Sequence, residues 1–173
     1  MLRFASVAPL VALIAFAAAA AADAPQLIGS SKSWSAFQAS TGSGKVCYAL
    51  ARPKTVEPRK AARDPIFFLV SDWPGRKVQG ELQVVPGYPY KDGEPVVAQV
   101  GSTKVEFFTR NSGSSGAAWV KDPDQESSLL SAMRRGNTIT VSGVSERGTR
   151  TRDTYSLAGI TKALDLIRDA CAK

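Results

Sequence analysis

Asp64-Pro65-Ile66-Phe67-Phe68-Leu69-Val70 is the stretch on which the fold turns. Its five consecutive apolar residues, rich in aromatic and β-branched types, are too few for a helix. They suit a strand covered on both faces. Trp73-Pro74-Gly75 closes it, since proline and glycine together interrupt either regular structure.

Working outward, the flanking sequence is mostly short strands divided by turn residues. Towards the N-terminus, Ser33-Trp34-Ser35-Ala36-Phe37 alternates polar and apolar, Gly42-Ser43-Gly44 turns the chain, and Lys45 to Ala51 forms a second strand. Pro53 to Arg63 is polar, basic and twice interrupted by proline, so it reads as a loop or an edge excursion. Towards the C-terminus, Gly80 to Val85 is a strand ended by Pro86-Gly87-Tyr88-Pro89-Tyr90. Val96 to Val100 and Thr103 to Arg110 then form a hairpin around Gly101-Ser102. Asn111 to Gly116 reads as a mobile Ser/Gly tip before a short strand, Ala117 to Val120.

One helix is expected over Pro123 to Arg135. Asp122 caps it, Pro123 takes the first helical position, Gln125 completes a capping box, and Gly136 supplies a left-handed stop. A hairpin follows, Thr138 to Val144 with Arg150 to Leu157. A closing helix from Ile160 to Ala170 has Ile160, Ala163, Leu164, Ile167 and Cys171 on one stripe. The class is therefore mainly β, a sandwich of antiparallel strands with one inserted helix and one C-terminal helix.

The chain has 173 residues, and its beginning has a different character. Arg3 precedes an apolar run from Phe4 to Ala22 broken only by Ser6 and Pro9, and Ala20-Ala21-Ala22 supplies a small-residue cleavage site. Residues 1–22 read as a secretory signal peptide, leaving a single domain over residues 23–173. The competing reading, an uncleaved anchor, is disfavoured because the second half of the run is weakly apolar alanine. No later segment of the sequence is apolar enough to span a bilayer.

Export changes the meaning of the remaining composition. The formal charge of +7 falls by one with Arg3. Outside the cytoplasm, acidic lipid, lipopolysaccharide or sulfated glycan is a better match for that charge than nucleic acid. The two cysteines, Cys47 and Cys171, form an even pair in an oxidising space and read as a disulfide. The alternative is a free reactive thiol, and the chain contains no histidine to activate one.

The absence of histidine also removes Ser-His-Asp and Cys-His catalysis and the usual zinc sites. No glycine-rich phosphate-binding motif occurs, and neither metal nor cofactor is expected. Asp122, Asp124 and Glu126 cluster in sequence, where they complement a helix N-terminus rather than forming an acid–base pair. Ser30-Ser31-Lys32 and Ser102-Thr103-Lys104 leave Ser-Lys hydrolysis formally open. The best candidate binding surface is the basic stretch Arg52, Lys54, Arg59, Lys60 and Arg63, which also reads as a solvated loop. A second cluster, Arg147, Arg150 and Arg152, sits at a hairpin tip.

Several segments, in order along the chain, resemble the invasion-associated locus B family of exported bacterial proteins. They are Gly44-Lys45-Val46-Cys47-Tyr48-Ala49, Arg63-Asp64-Pro65, Pro86-Gly87-Tyr88-Pro89-Tyr90 and Ala132-Met133-Arg134-Arg135-Gly136. Arg147-Gly148-Thr149, Asp153-Thr154-Tyr155-Ser156-Leu157-Ala158-Gly159 and Ala170-Cys171 complete the series. The resemblance implies an immunoglobulin-like β-sandwich and a periplasmic, surface-associated or secreted protein. It matches Cys47 and Cys171 to the family's cysteine pair and transfers no catalytic residue. The expectation is a non-enzymatic envelope protein that binds another macromolecule, a protein or an anionic envelope or glycan partner, or that supports the envelope. A surface adhesin contacting host cells and a histidine-free hydrolase are the alternatives.

Overall fold

The computed structural model describes residues 24–172; the expected signal peptide lies outside them. Eleven strands and two helices follow one another along the chain. They are β1 (Gln26–Ser31), β2 (Trp34–Thr41), β3 (Gly44–Ala51), β4 (Thr55–Glu57), β5 (Phe67–Trp73), β6 (Val78–Val85), β7 (Val96–Val100), β8 (Thr103–Ser112), β9 (Ser115–Val120), α1 (Pro123–Arg135), β10 (Thr138–Val144), β11 (Arg150–Ser156) and α2 (Ile160–Cys171). The mainly β architecture with an inserted and a C-terminal helix is the one expected.

Hydrogen bonding joins all the strands into one antiparallel sheet, in the order β1-β2-β3-β5-β6-β9-β8-β7-β10-β11-β4. The opening stretch is central in the sheet but covered on one face only, since Phe67 and Leu69 of β5 stay half-buried, which corrects the expected two-sided cover. Phe68 and Val70 of β5 are fully buried, and β5 is paired on both sides. The seam between β6 and β9 is short, Gln83 opposite Trp119 and Val84 opposite Ala118. There the sheet folds over, so that its two halves become two layers. In a flat sheet β5 and β11 would lie six strand spacings apart, about 29 Å. Instead the Phe68 and Tyr155 rings are 5.6 Å apart, and Phe68 also meets Trp34 and Phe107 edge-on. Trp34 Nε1 donates to the Ser156 carbonyl at 2.9 Å, tying β2 to the end of β11.

The concave face holds the core, and both helices lie against it. Ala36, Ala49 and Ala51 are buried there, small enough for α2 to approach β2 and β3. Gly29 eases the same approach, since a Cβ there would crowd the Leu166 side chain at 2.9 Å from its Cδ1. The Cys47–Cys171 disulfide fastens α2 to β3 across 124 positions. Helix α1 seats Leu129 and Met133 in the core. Asp122 Oδ1 accepts the Asp124 N–H, as a cap should.

The structure adds two strands and corrects two further local expectations. The polar strand β1 carries too little alternation to be read from sequence, and it forms by pairing with β2. The excursion after Pro53 contains a short edge strand, β4, against β11. Gly136 has an extended backbone rather than a left-handed one (φ −87°, ψ 171°), and a Cβ there would meet Val100 Cγ1 at 2.5 Å, so packing demands the glycine. Glu126, expected only to favour the helix dipole, is half-buried and accepts the Leu82 N–H at 2.7 Å, which stitches α1 to β6.

Candidate functional site

Three connections and one hairpin turn meet at the end of the sheet opposite the disulfide. They are the β4–β5 connection, the β6–β7 connection that carries Pro86 to Tyr90, the β8–β9 turn, and the β10–β11 connection. Between them lies a cleft of about 690 Å³ whose walls include Asp64, Tyr88, Ser114, Glu146, Arg147 and Thr149. Three of the segments that carry the family resemblance, far apart in sequence, contribute to it.

Beneath the cleft lies a buried polar cluster. Arg63, only 5% exposed at its side chain, faces Asp153 of β11, 3% exposed. Its Nη1 and Nη2 donate to the two Asp153 carboxylate oxygens at 2.7 and 2.6 Å. Nε and Nη2 donate to the Pro86 carbonyl at 2.8 and 2.6 Å, and the guanidinium lies over the Tyr88 ring. Burial opposes the charge on Arg63, but the bonds to Asp153 outweigh it and hold the guanidinium more firmly protonated than usual. With four of its five N–H directions engaged by geometry of this kind, Arg63 has little left for a ligand.

The tyrosines complete the cluster. The Tyr88 hydroxyl bonds the Thr151 hydroxyl, and the Tyr90 ring stands edge-on to Tyr88 at 5.4 Å. Tyr155 is buried with its hydroxyl unpartnered. Burial first, and then the Asp153 carboxylate, push its ionisation far beyond physiological pH. Burial likewise raises Tyr88 and Tyr90. None is placed to act as a base near neutrality. Gly87 makes the sharp entry into this segment, with φ +75° and a would-be Cβ that would collide with the Asp64 carbonyl oxygen.

The expected Ser/Gly tip is a tight hairpin turn, because Asn111 clamps it. Its Oδ1 accepts the Tyr90 N–H at 2.8 Å and its Nδ2 donates to the Tyr90 carbonyl at 2.7 Å. An amide facing a strand-like backbone satisfies both groups at once. Asparagine in a turn was the available sequence signal, but its partner 21 residues away was not legible.

The predicted basic surface does not assemble as one patch. Arg63 points inward to Asp153 and is removed from it. Arg59 and Lys60 are exposed on the β4–β5 connection. Arg52 and Lys54 border a separate shallow hollow with Ser33, Ser35 and Ser156. Of the second cluster, Arg147 lines the cleft, while Arg152 lies on the outer sheet face beside Ser142. Among the described residues no group of three or more His, Cys, Asp or Glu side chains could hold a metal, and no helix is long and apolar enough to cross a membrane.

Comparison with known proteins adds two findings. The family model described as "Invasion associated locus B (IalB) protein" matches residues 34–168. The crystal structure of invasion associated protein b from Bartonella henselae is similar in fold, with a TM-score of 0.53 at 15% identity, over 89% of this chain and 100% of that one. No curated protein matches the sequence.

Proposed function

This chain belongs to the invasion associated locus B family, and from that premise we propose that it is an exported envelope protein that holds another macromolecule and catalyses nothing. The observation that carries the reading is the division of labour at the cleft. Its deepest polar groups, Arg63, Asp153, Tyr88 and Thr151, are consumed by one another. Its rim offers Asp64, Glu146 and Arg147, exposed charges suited to contact rather than to bond-breaking.

In this reading residues 1–22 are removed on export, and residues 23–173 work in the periplasm, where the Cys47–Cys171 bond is stable. Mass spectrometry of the mature protein should find Asp23 at its N-terminus. An activity-based serine probe should leave the folded protein unlabelled; labelling abolished by a single Ser→Ala change overturns the non-enzymatic reading. Protease treatment of intact cells separates this role from that of a surface adhesin. A periplasmic protein stays protected until the outer membrane is opened.

A further inference from the structure

The outward faces of the two layers differ in chemistry. Apart from the stacked Phe108 and Trp119 near the β6–β9 seam, the layer ending in β7, β10, β11 and β4 is polar outside. Gln99, Thr140 and Thr154 share one cross-strand row there, and Ser142, Arg152 and Glu57 the next. The layer of β1, β2, β3, β5 and β6 is apolar outside. Leu27, Phe37 and Tyr48 share one row, Leu50 and Leu69 the next, and Phe67 lies opposite Val85 in the third. Leu27 is 56% exposed and the others are half-buried. Both helices lie on the concave side, so among the described residues nothing covers this face. An uncovered apolar patch on one layer, absent from its neighbour, marks a contact surface.

The charge of this layer is one-sided. From Ala24 to Val56, which contains β1, β2 and β3, the chain carries Lys32, Lys45, Arg52 and Lys54 and no acidic residue. The outward acid of β6, Glu81, is engaged: it accepts from Trp73 Nε1 at 3.0 Å and pairs with Arg76 at 3.6 Å. Where the chain leaves β3 for β4, a hollow of about 420 Å³ opens beside Leu50. Arg52, Lys54 and three serines, Ser33, Ser35 and Ser156, line it, and no carboxylate does. Neither cation has an ion-pair partner among the described residues. The Arg52 guanidinium lies 5.0 Å from the Phe67 ring centre, which fixes its plane and leaves its N–H edge free. The backbone of Lys54 is held in turn by its N–H bond to the Thr154 carbonyl. Two cations without a counter-charge, set among hydroxyl donors, suit a phosphate group.

We propose that the outward face of β1, β2, β3, β5 and β6 docks on an anionic bilayer, with a lipid phosphate in the Arg52–Lys54 hollow. The inference rests on the reading of the chain as an exported envelope protein and leaves the cleft free for its partner. Contiguity carries it, since Leu50 belongs both to the apolar rows and to the hollow. A lipid brings phosphate and hydrocarbon side by side in the same way. Tyr48 and Trp73 are the residue types that settle at headgroup depth, and Arg stems lie along apolar surface while their charge meets the phosphates. A second copy set face to face would bring the same unpaired cations together. A protein partner would need carboxylates in register with the hollow, whereas an anionic bilayer offers phosphates at every spacing.

The test is co-sedimentation of the protein as the bacterium exports it, disulfide intact, with vesicles of phosphatidylcholine alone or mixed with phosphatidylglycerol. Binding should require phosphatidylglycerol and weaken as salt rises. Each cation at an anionic surface contributes about fivefold, so Arg52→Gln with Lys54→Gln should weaken binding about thirtyfold at an unchanged melting temperature. Arg150→Gln with Arg152→Gln removes the same charge from the other layer and should weaken it less than about threefold. Leu27→Gln should weaken it about fivefold by removing apolar contact. Brominated phosphatidylglycerol should quench the tryptophan emission of the native protein and not that of Trp73→Phe, because Trp34 is buried and Trp119 lies beyond the seam. Equal binding to both vesicles, equal losses from the two double substitutions, no loss from Leu27→Gln, or quenching that survives Trp73→Phe each overturns the proposal. Binding to neither vesicle overturns it too and returns the face to a protein partner. Serine-probe labelling would end the non-enzymatic reading, and an unprocessed N-terminus the export reading, without altering what the vesicles report.

Discussion

The two ends of the sheet are held by opposite means. At one end Cys47–Cys171 joins α2 to β3 covalently, among largely apolar groups and the buried Asp72 of β5. At the other, Arg63 and Asp153 form a buried bidentate ion pair capped by Tyr88. A disulfide stabilises chiefly by restricting the unfolded chain, so it demands little of its neighbours. A buried ion pair demands everything of them, because each charge is tolerable only while the other and the Pro86 carbonyl remain in place.

That difference predicts which end breaks harder. Asp153→Ala should cost the most, about 4 kcal/mol by urea unfolding, since it leaves a guanidinium buried without its counter-charge. Replacing both partners by apolar residues of similar size, Arg63→Met with Asp153→Leu, should recover most of that loss. If the double variant is as unstable as the single one, the pair is doing more than neutralising itself.

Cys171→Ala should cost about 3 kcal/mol, with the sandwich retained and hydrogen exchange accelerated first in α2 and β1. Thiol titration of the denatured, unreduced native protein should find none; two reactive thiols would remove this end from the comparison altogether. Asn111→Ala acts at the ion-paired end and should cost about 2 kcal/mol, because it strands the Tyr90 N–H and carbonyl together.

The smallest effect is one of pH, and it belongs to the disulfide end. Burial raises the carboxyls of Asp72, which accepts the Gly80 N–H, and of Glu126, above their ordinary range. The unfolded chain then releases those protons more readily than the folded one. Their contribution to stability is complete below about pH 4, the unfolded carboxylate range, and is lost as pH rises through the raised folded values. Stability measured by urea between pH 4 and 7 should therefore carry a falling component that Glu126→Gln reduces. An unchanged slope in that variant would show that Glu126 is already ionised in the fold as easily as in the unfolded chain.

Legibility followed the range of the interactions. Helix α1 was read at Pro123 to Arg135, its observed bounds, because proline, a cap and an apolar stripe are local signals. Strands β7 and β10 were equally clear from composition and turn residues. The polar β1 and the three-residue β4 were not, since each exists only through a partner strand. Arg63 looked like one more cation in a basic loop, and nothing within that loop marks its partner 90 positions later.

By itself, then, the sequence determined the mainly β class, both helices, the family and the cysteine pair. These depend on local pattern or on a pairing with no competitor, since there are only two cysteines. The tertiary structure alone decided that the layers are one folded sheet and that Arg63 serves Asp153 rather than a ligand. Each of those depends on strands brought together from far apart in the chain, and register and burial exist only once the sheet has closed.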